Sequence, residues 1–167
     1  MTTNGDGSPS AEDFVAERGD ALLRLAWLLT GERSAAEDLA QEALARVLPR
    51  WDSIGPGRHE AYLRRAIRST WVDGLRRRAA RVRLDVVPDL PDVAQPGDSG
   101  AQVDDRLALR AALAALTVRQ RTVLVLRYFE DLSEAETARL MGCSVSTVKS
   151  TTHDALARLR AEERVTR

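Results

Sequence analysis

The sequence has few of the residues on which several common classes of protein depend. A single cysteine, Cys143, excludes an internal disulfide framework and a cysteine-based zinc site. The two histidines, His59 and His153, lie far apart and show no metal-ligand or nucleophile spacing. No apolar run approaches the ~18 residues of a membrane span, and residues 1–10 contain no apolar signal-peptide core. We therefore expect a cytoplasmic protein that is not an enzyme and that binds no metal or cofactor.

Lysine is almost absent, and Lys149 is the single lysine among 25 basic residues. The chain also has 25 acidic residues, which balance the basic ones. The net charge of zero by itself predicts no partner. The distribution is uneven, however. Eight arginines and one acid, Asp73, lie between positions 64 and 83, whereas six aspartates and no basic residue lie between positions 85 and 105. This asymmetry is typical of a nucleic-acid-binding segment followed by an acidic linker.

Residues 132–149 have the spacing of two short helices joined by a tight turn. Ser133 and Glu136 form a predicted capping box at the start of the first helix, and Gly142 suits a positive φ at its end. Ser144 is the predicted N-cap of the second helix. These signals predict a helix-turn-helix, and the alternative is an ordinary helical hairpin.

The second helix of this motif has an apolar side and a polar side. Its spacing places one set of residues against the core: Val145, Val148, Thr152, Ala155, Leu156 and Leu159. The opposite side is short, polar and narrow enough for a DNA major groove: Ser146, Thr147, Ser150 and Asp154. On that side the charge of Asp154 opposes phosphate unless Arg158, one turn later, pairs with it. We interpret His153 as a groove-edge contact rather than a catalytic base.

Capping signals predict two helices before residue 50. Ser10 and Asp13 are expected to begin the first helix. Ser34 and Glu37 form a second predicted capping box, and Pro49 is expected to end the helix that follows. The apolar sector of this second helix lies opposite three polar residues: Asp38, Gln41 and Glu42. Spacing alone favours a solvated surface for them.

A third helix is predicted from about Glu60 to Arg83. Its arginines are too dense to be neutralised by nearby acids: Arg64, Arg65, Arg68, Arg76, Arg77, Arg78, Arg81 and Arg83. Such a cluster favours a polyanion partner, and the alternative is a solvated basic helix. Tyr62 and Trp71 are candidates for stacking on unpaired bases, although we expect Trp71 to be buried.

The second half of the chain follows a stretch rich in proline, glycine and aspartate. Thr117 and Gln120 are expected to cap a helix that bears several apolar residues: Val123, Leu124, Leu126, Tyr128 and Phe129. The sequence thus predicts an all-α protein of two small helical domains, residues 10–84 and 105–164, joined by a flexible acidic linker over residues 85–104. The second domain is predicted to be a four-helix helix-turn-helix domain.

Three stretches, in this order, resemble segments of the bacterial extracytoplasmic-function (ECF) sigma factors and together span nearly the whole chain. Residues 36–44, AEDLAQEAL, are similar to the segment that docks on the clamp helices of RNA polymerase. Residues 61–78 resemble the helix that opens the −10 promoter element and holds the non-template strand. Residues 116–160 resemble the domain that reads the −35 element.

The resemblance implies roles for particular residues. It implies contact with core polymerase for Asp38, Gln41 and Glu42. It implies contact with −10 DNA for Tyr62, Arg64, Arg65, Arg68, Ser69, Asp73, Arg76 and Arg77. It implies contact with −35 DNA for Ser144, Ser146, Thr147, Lys149, Ser150 and His153.

The implied function is that of a sigma factor, which binds core RNA polymerase and directs promoter-specific transcription initiation. Core polymerase and promoter DNA are the expected partners, and an anti-sigma factor is left open as a third. The linker is either a soluble tether or a segment that enters the RNA channel of polymerase. A different reading is an autonomous helix-turn-helix repressor, which usually dimerises, and no dimerisation helix is predicted after Arg160.

Overall fold

The computed structural model describes residues 9–84 and 103–165, with side chains described for 9–81 and 108–162. Residues 1–8 and most of the predicted acidic linker, 85–102, lie outside the described residues. No β-strand forms in the two described ranges, and their helices are α1 (Ala11–Thr30), α2 (Arg33–Val47), α3 (His59–Leu84), α4 (Val103–Ala114), α5 (Val118–Leu124), α6 (Glu134–Met141) and α7 (Val145–Val165). A 3₁₀ turn, Leu48–Ser53, follows α2, and a π-helical turn, Val125–Phe129, follows α5. The all-α prediction is confirmed.

The helices form two compact units. The first contains residues up to Trp27 and those from Arg33 through α3, and the second contains α4–α7 together with Leu28–Glu32. Each unit is small, so its stability depends on a few buried apolar side chains, each worth about 1.5–3 kcal/mol on burial.

The first unit is organised around the packing of α2 against α3. From α2, four residues are buried: Ala36, Leu39, Ala43 and Val47. From α3, four large apolar residues are buried: Leu63, Ile67, Trp71 and Val72. The predicted start of α1 is confirmed, since the Asp13 backbone N–H donates to Ser10 Oγ at 3.1 Å. These contacts leave the polar side of α2 and the arginine-rich side of α3 on the surface.

The start of α3 is held by an aromatic cluster. Trp51 packs against His59 with ring centroids 4.3 Å apart and against Phe14 at 5.4 Å. His59 is buried, and its Nε2 lies 3.2 Å from the Trp51 carbonyl oxygen, to which it donates. His59 is therefore a structural residue that fixes where α3 begins.

The predicted capping box at Ser34 and Glu37 is wrong. The helix already begins at Arg33, so that Ser34 lies inside it, and Arg33 Nε donates to Glu37 Oε1 at 3.0 Å. The preceding turn uses the Thr30 hydroxyl instead, which donates to the Glu32 carbonyl oxygen at 2.9 Å. The helix thus starts two residues earlier than the sequence signal indicates, since an N-cap at Ser34 would make Ala35 its first residue.

The second unit contains the predicted helix-turn-helix. The capping boxes at Thr117 with Gln120 and at Ser133 with Glu136 are both present. Gly142 ends α6 with a φ of 66°, as predicted. One apolar cluster joins three helices, with Val123 from α5, Ala138 from α6 and Val148 from α7. These three helices are therefore held around one core, and α7 is fixed relative to α6.

Three apolar residues expected in this core are instead exposed. The backbone changes to i→i+5 hydrogen bonding after Leu124, and the Glu130 N–H donates to the Val125 carbonyl oxygen at 3.0 Å. This change alters the direction of the side chains, so that Tyr128 is 62% and Phe129 40% exposed. Val145 is 39% exposed because it is the first residue of α7, one turn before the helix meets the core at Val148.

Candidate nucleic-acid interface

The start of α7 is built from three hydroxyl groups. Ser144 Oγ accepts a hydrogen bond from the Thr147 backbone N–H at 3.1 Å, which makes Ser144 the predicted N-cap. The same oxygen lies 2.9 Å from Ser146 Oγ and 2.8 Å from Thr147 Oγ1. Ser144 is thus occupied in holding the helix end, whereas Ser146 and Thr147 can turn their hydroxyls towards a ligand at the cost of one hydrogen bond each.

The solvent-facing side of α7 is centred on Ser146, Ser150 and His153. All three are exposed, and their spacing of four and three residues puts them on one side, opposite the buried Val148 and Ala155. Ser150 Oγ donates to the Thr147 carbonyl oxygen at 3.1 Å, so its hydroxyl has a bond within the helix. This side is polar, and two of its three central residues are serines.

Two charged residues flank this polar side. Lys149 Nζ lies 3.7 Å from Glu134 Oε2, an ion pair between α7 and the first turn of α6. Asp154 is exposed on the other edge, where helical spacing places it well away from Lys149. No ion pair joins Asp154 to Arg158 in the part of the chain that the structure describes. The charge of Asp154 is therefore not neutralised by that arginine.

A stripe of residues along α3 faces away from the first unit's core. It contains Tyr62, which is 50% exposed, and exposed arginines one and four turns further along, Arg65 and Arg76. Ser69 and Asp73 lie on the same stripe, and Arg77 lies beside it. The Ser69 hydroxyl donates to the Ala66 carbonyl oxygen at 3.1 Å. An exposed aromatic ring followed by guanidinium groups can stack on a base and attract phosphates.

Arg64 and Arg68 lie on the adjoining side of α3 and are half-buried. Arg64 Nε donates to Glu60 Oε1 at 3.1 Å, so a carboxylate already neutralises part of its charge. Trp71 is buried, and the guanidinium carbon of Arg78 lies 5.4 Å from the centre of its ring. Trp71 is therefore a core residue, as expected, and Tyr62 is the aromatic residue of the pair that is open to a base.

The polar side of α2 brings together Asp38, Gln41 and Glu42. All three are exposed, and Asp38 is three and four residues before the others, which places them on one side of the helix. They lie opposite the buried apolar sector of α2. Two carboxylates and an amide can accept hydrogen bonds from basic groups of a partner.

Arg46 joins this polar side of α2 to the stripe on α3, and it was not among the predicted site residues. Its Nη2 lies 2.7 Å from Glu42 Oε1, and its Nη1 lies 3.7 Å from Asp73 Oδ2. The Glu42 pair follows the i, i+4 rule and was visible in the sequence. The Asp73 pair connects two helices, so no local pattern could have indicated it.

Two other features, a metal site and a membrane-spanning helix, are not found among the described residues. Within residues 9–81 and 108–162, no three His, Cys, Asp or Glu side chains lie close enough together to hold a metal ion. None of the helices in the described ranges is long and apolar enough to cross a membrane.

Comparison with known proteins identifies both units. Residues 14–81 match the model for sigma-70 region 2, and residues 106–159 match the model for sigma-70 region 4. The RNA polymerase sigma-E factor of Streptomyces avermitilis is 46% identical over 154 residues, which cover 90% of this chain and 83% of that protein. The ECF RNA polymerase sigma factor SigL of Mycobacterium tuberculosis is 35% identical over 152 residues, covering 86% and 83%.

A solved structure has the same fold. The sigma factor RpoE from Bartonella quintana, crystallised in complex with the anti-sigma factor NepR, aligns with a TM-score of 0.59 and 28% identity. The alignment covers 94% of this chain and all of that one. The two matched sigma-70 regions coincide with the two helical units, and the curated relatives are sigma factors. The chain therefore belongs to the ECF family of RNA polymerase sigma factors.

Proposed function

We propose that this ECF sigma factor divides the work of initiation among three helices. The polar side of α2 binds core RNA polymerase, the stripe on α3 holds the melted −10 strand, and α7 reads the −35 element in the major groove. In this scheme residues 10–84 form the docking and −10 domain, residues 105–164 form the −35 domain, and residues 85–104 form an acidic linker.

The observation that carries the proposal is the contrast between two neighbouring helices in the first unit. The polar side of α2 exposes the carboxylates of Asp38 and Glu42, whereas the stripe on α3 exposes Tyr62, Arg65 and Arg76. Carboxylates repel DNA phosphates and attract basic groups, so the α2 surface suits a protein partner and the α3 surface suits DNA. One small unit therefore has a separate surface for each.

In this proposal, different residues attract the DNA phosphates and read the bases. The arginines of α3 supply sequence-independent attraction to phosphates, which positions the strand but does not discriminate bases. Discrimination at −35 falls to Ser146, Thr147, Lys149 and Ser150, with His153 at the groove edge. Lys149 is the strongest candidate for a contact to guanine, since lysine pairs with the O6 and N7 acceptors of that base.

Three further properties follow from the family. The protein contributes binding rather than catalysis, because sigma factors are initiation factors that act on polymerase. It acts in the cytoplasm, where bacterial polymerase transcribes. The RpoE relative is found with the anti-sigma factor NepR, and we propose that an anti-sigma protein also binds this chain. The competing function, an autonomous repressor, requires tight operator binding without polymerase.

Replacing Asp38, Gln41 and Glu42 together with Ala tests the docking surface. The three side chains are exposed and outside the core, so the circular-dichroism spectrum should match that of the parent. Affinity for core polymerase should fall at least about tenfold, because truncating interface hot spots costs about 2 kcal/mol or more. The control is the double variant Glu12→Ala with Asp20→Ala. It also removes two negative charges, but from exposed positions on α1.

The result separates the two candidate functions. Loss of core binding in the triple variant, with normal binding in the control, supports the docking surface. Unchanged core affinity in the triple variant contradicts it. Promoter binding by the chain alone that equals binding by the holoenzyme would favour the repressor instead.

A further inference from the structure

Arg46 connects two surfaces to which the proposed function gives different partners. One nitrogen of its guanidinium, Nη2, lies 2.7 Å from Glu42 Oε1 on the polar side of α2, which is proposed to bind polymerase. Another, Nη1, lies 3.7 Å from Asp73 Oδ2 on the stripe of α3, which is proposed to bind DNA. A planar guanidinium can serve two carboxylates at once because its nitrogens point in different directions, whereas an ammonium group acts as a point charge. Arg46 therefore ties α2 to α3 through charge as well as packing.

Asp73 is an unusual residue for a DNA surface. It is the one acid among the eight arginines between positions 64 and 83. It lies on the same stripe as Arg65 and Arg76, where a bare carboxylate repels the phosphates that these arginines attract. The pair with Arg46 neutralises this charge from the α2 side, away from the stripe.

Asp73 also lies next to an arginine that is proposed to bind DNA. Arg76 Nη1 lies 3.9 Å from Asp73 Oδ1, too far for a hydrogen bond but close enough for attraction. The two oxygens of Asp73 thus face two different arginines. Because Arg46 shares the charge of Asp73, the attraction of Asp73 for Arg76 is weaker than that of a carboxylate with no other basic neighbour.

We propose that Arg46 is a positioning residue for −10 strand binding, acting through Asp73 on the stripe of α3. Without Arg46, the negative charge of Asp73 is directed wholly at Arg76 and at the approaching phosphates. Strand binding then weakens although no DNA-contacting residue has changed. This inference rests on the proposed −10 surface and adds to it a residue that acts through Asp73.

A double-mutant cycle between Arg46 and Asp73 tests this role in the assembled holoenzyme. The full-length parent, Arg46→Ala, Asp73→Asn and the double variant are each combined with core polymerase. Each holoenzyme is then titrated with a fork-junction promoter DNA whose −10 non-template strand is single-stranded, at two salt concentrations. Core affinity and thermal melting are measured separately for each variant, so that docking and folding effects are known.

Arg46→Ala should weaken DNA binding about three- to tenfold at low salt, since the negative charge of Asp73 is then left uncompensated near the phosphates. The weakening should shrink at high salt because exposed charges are screened. In the Asp73→Asn background the same change should cost less than about 1.5-fold, since the charge through which Arg46 acts is gone. Arg33→Ala is the matched control, because Arg33 makes an i, i+4 pair with Glu37 at 3.0 Å on the same helix and should leave DNA binding unchanged.

Equal costs of Arg46→Ala in the two backgrounds would overturn the inference, because the effect would then not pass through Asp73. A cost no larger than that of Arg33→Ala would also overturn it. Arg76→Ala separates this failure from failure of the proposed function. If Arg76→Ala weakens DNA binding and Arg46→Ala does not, the positioning role alone is wrong, and if neither weakens it, the −10 surface itself is wrong.

Discussion

Replacing Asp154 with Arg should strengthen promoter binding by the holoenzyme. Asp154 is exposed at the edge of the side of α7 that we place in the −35 groove, and Arg158 does not pair with it. In that placement its carboxylate repels DNA phosphates without compensation from that neighbour. The substitution removes one repulsion and adds one attraction at the same position.

The size of the effect follows from Coulomb's law. A unit charge about 8 Å from a phosphate in water interacts by about 0.5 kcal/mol, and the change from −1 to +1 doubles this to about 1 kcal/mol. Exposed ion pairs in proteins have contributions of the same order. A gain of about 1 kcal/mol corresponds to about fivefold tighter binding at low salt. An added phosphate contact should also make the fall of log affinity with log salt steeper by up to about one unit.

The assay compares holoenzymes formed with the parent and with Asp154→Arg on a promoter selected from a genomic pool by the parent holoenzyme. Fluorescence titrations at two salt concentrations give both the affinity and its salt dependence. Asp20→Arg is the matched control, because it makes the same charge change at an exposed position on α1, outside the proposed DNA surfaces. The gain should extend to variants of the −35 sequence, since phosphate contacts do not discriminate bases.

Two results would refute this reasoning. Weaker binding by Asp154→Arg would mean that the carboxylate makes a favourable contact, for example by accepting a hydrogen bond from the N4 amino group of a cytosine. A gain that does not change with salt would mean that charge is not its cause.

Two other substitutions test separate parts of the structure. Arg65→Ala should make the fall of log affinity with log salt less steep by about one unit when the holoenzyme binds fork-junction DNA. Arg64→Ala should have a smaller effect on this slope, because Glu60 already pairs with Arg64 at 3.1 Å. Equal slopes for both variants and the parent would show that the stripe does not contact phosphates. Gly142→Ala should reduce the free energy of unfolding by about 1–2 kcal/mol, because its φ of 66° strains any L residue. Gly74→Ala is the control, since Gly74 lies inside α3 with nothing within 4 Å of an added Cβ, and it should be neutral or stabilising in the same urea titration.

The parts of the fold that local chemistry determines were predictable. The boxes at Thr117 with Gln120 and at Ser133 with Glu136 each require two side chains three residues apart, and both formed as predicted. Gly142 was predictable for the same reason, because a left-handed residue after a short helix favours glycine. Ser34 and Glu37 have the same spacing and did not form a box, because α2 begins at Arg33 and Ser34 lies inside it. A capping pattern thus identifies a helix start only where the helix begins directly after the capping residue.

The exposed aromatic residues show a second limit. Periodicity assumes one helical repeat, and on that assumption Tyr128 and Phe129 continue the apolar side of α5. The π-helical turn at Val125–Phe129 changes the repeat within a single element, and the two rings point to solvent. No residue type in the stretch signals a π-turn, so the sequence could not indicate it.

The candidate surfaces were predictable as lists of residues, but the ion pairs that tune them were not. Lys149 was selected for its position on α7, and its partner Glu134 lies on α6, so their 3.7 Å approach depends on how the two helices cross. Asp73 was selected as part of the −10 segment, and its partner Arg46 lies on α2. In both cases a charged residue proposed to face DNA is held by an opposite charge from the helix packed beside it. We therefore expect the strength of each surface to depend on a residue of the neighbouring helix, Arg46 for the stripe on α3 and Glu134 for α7.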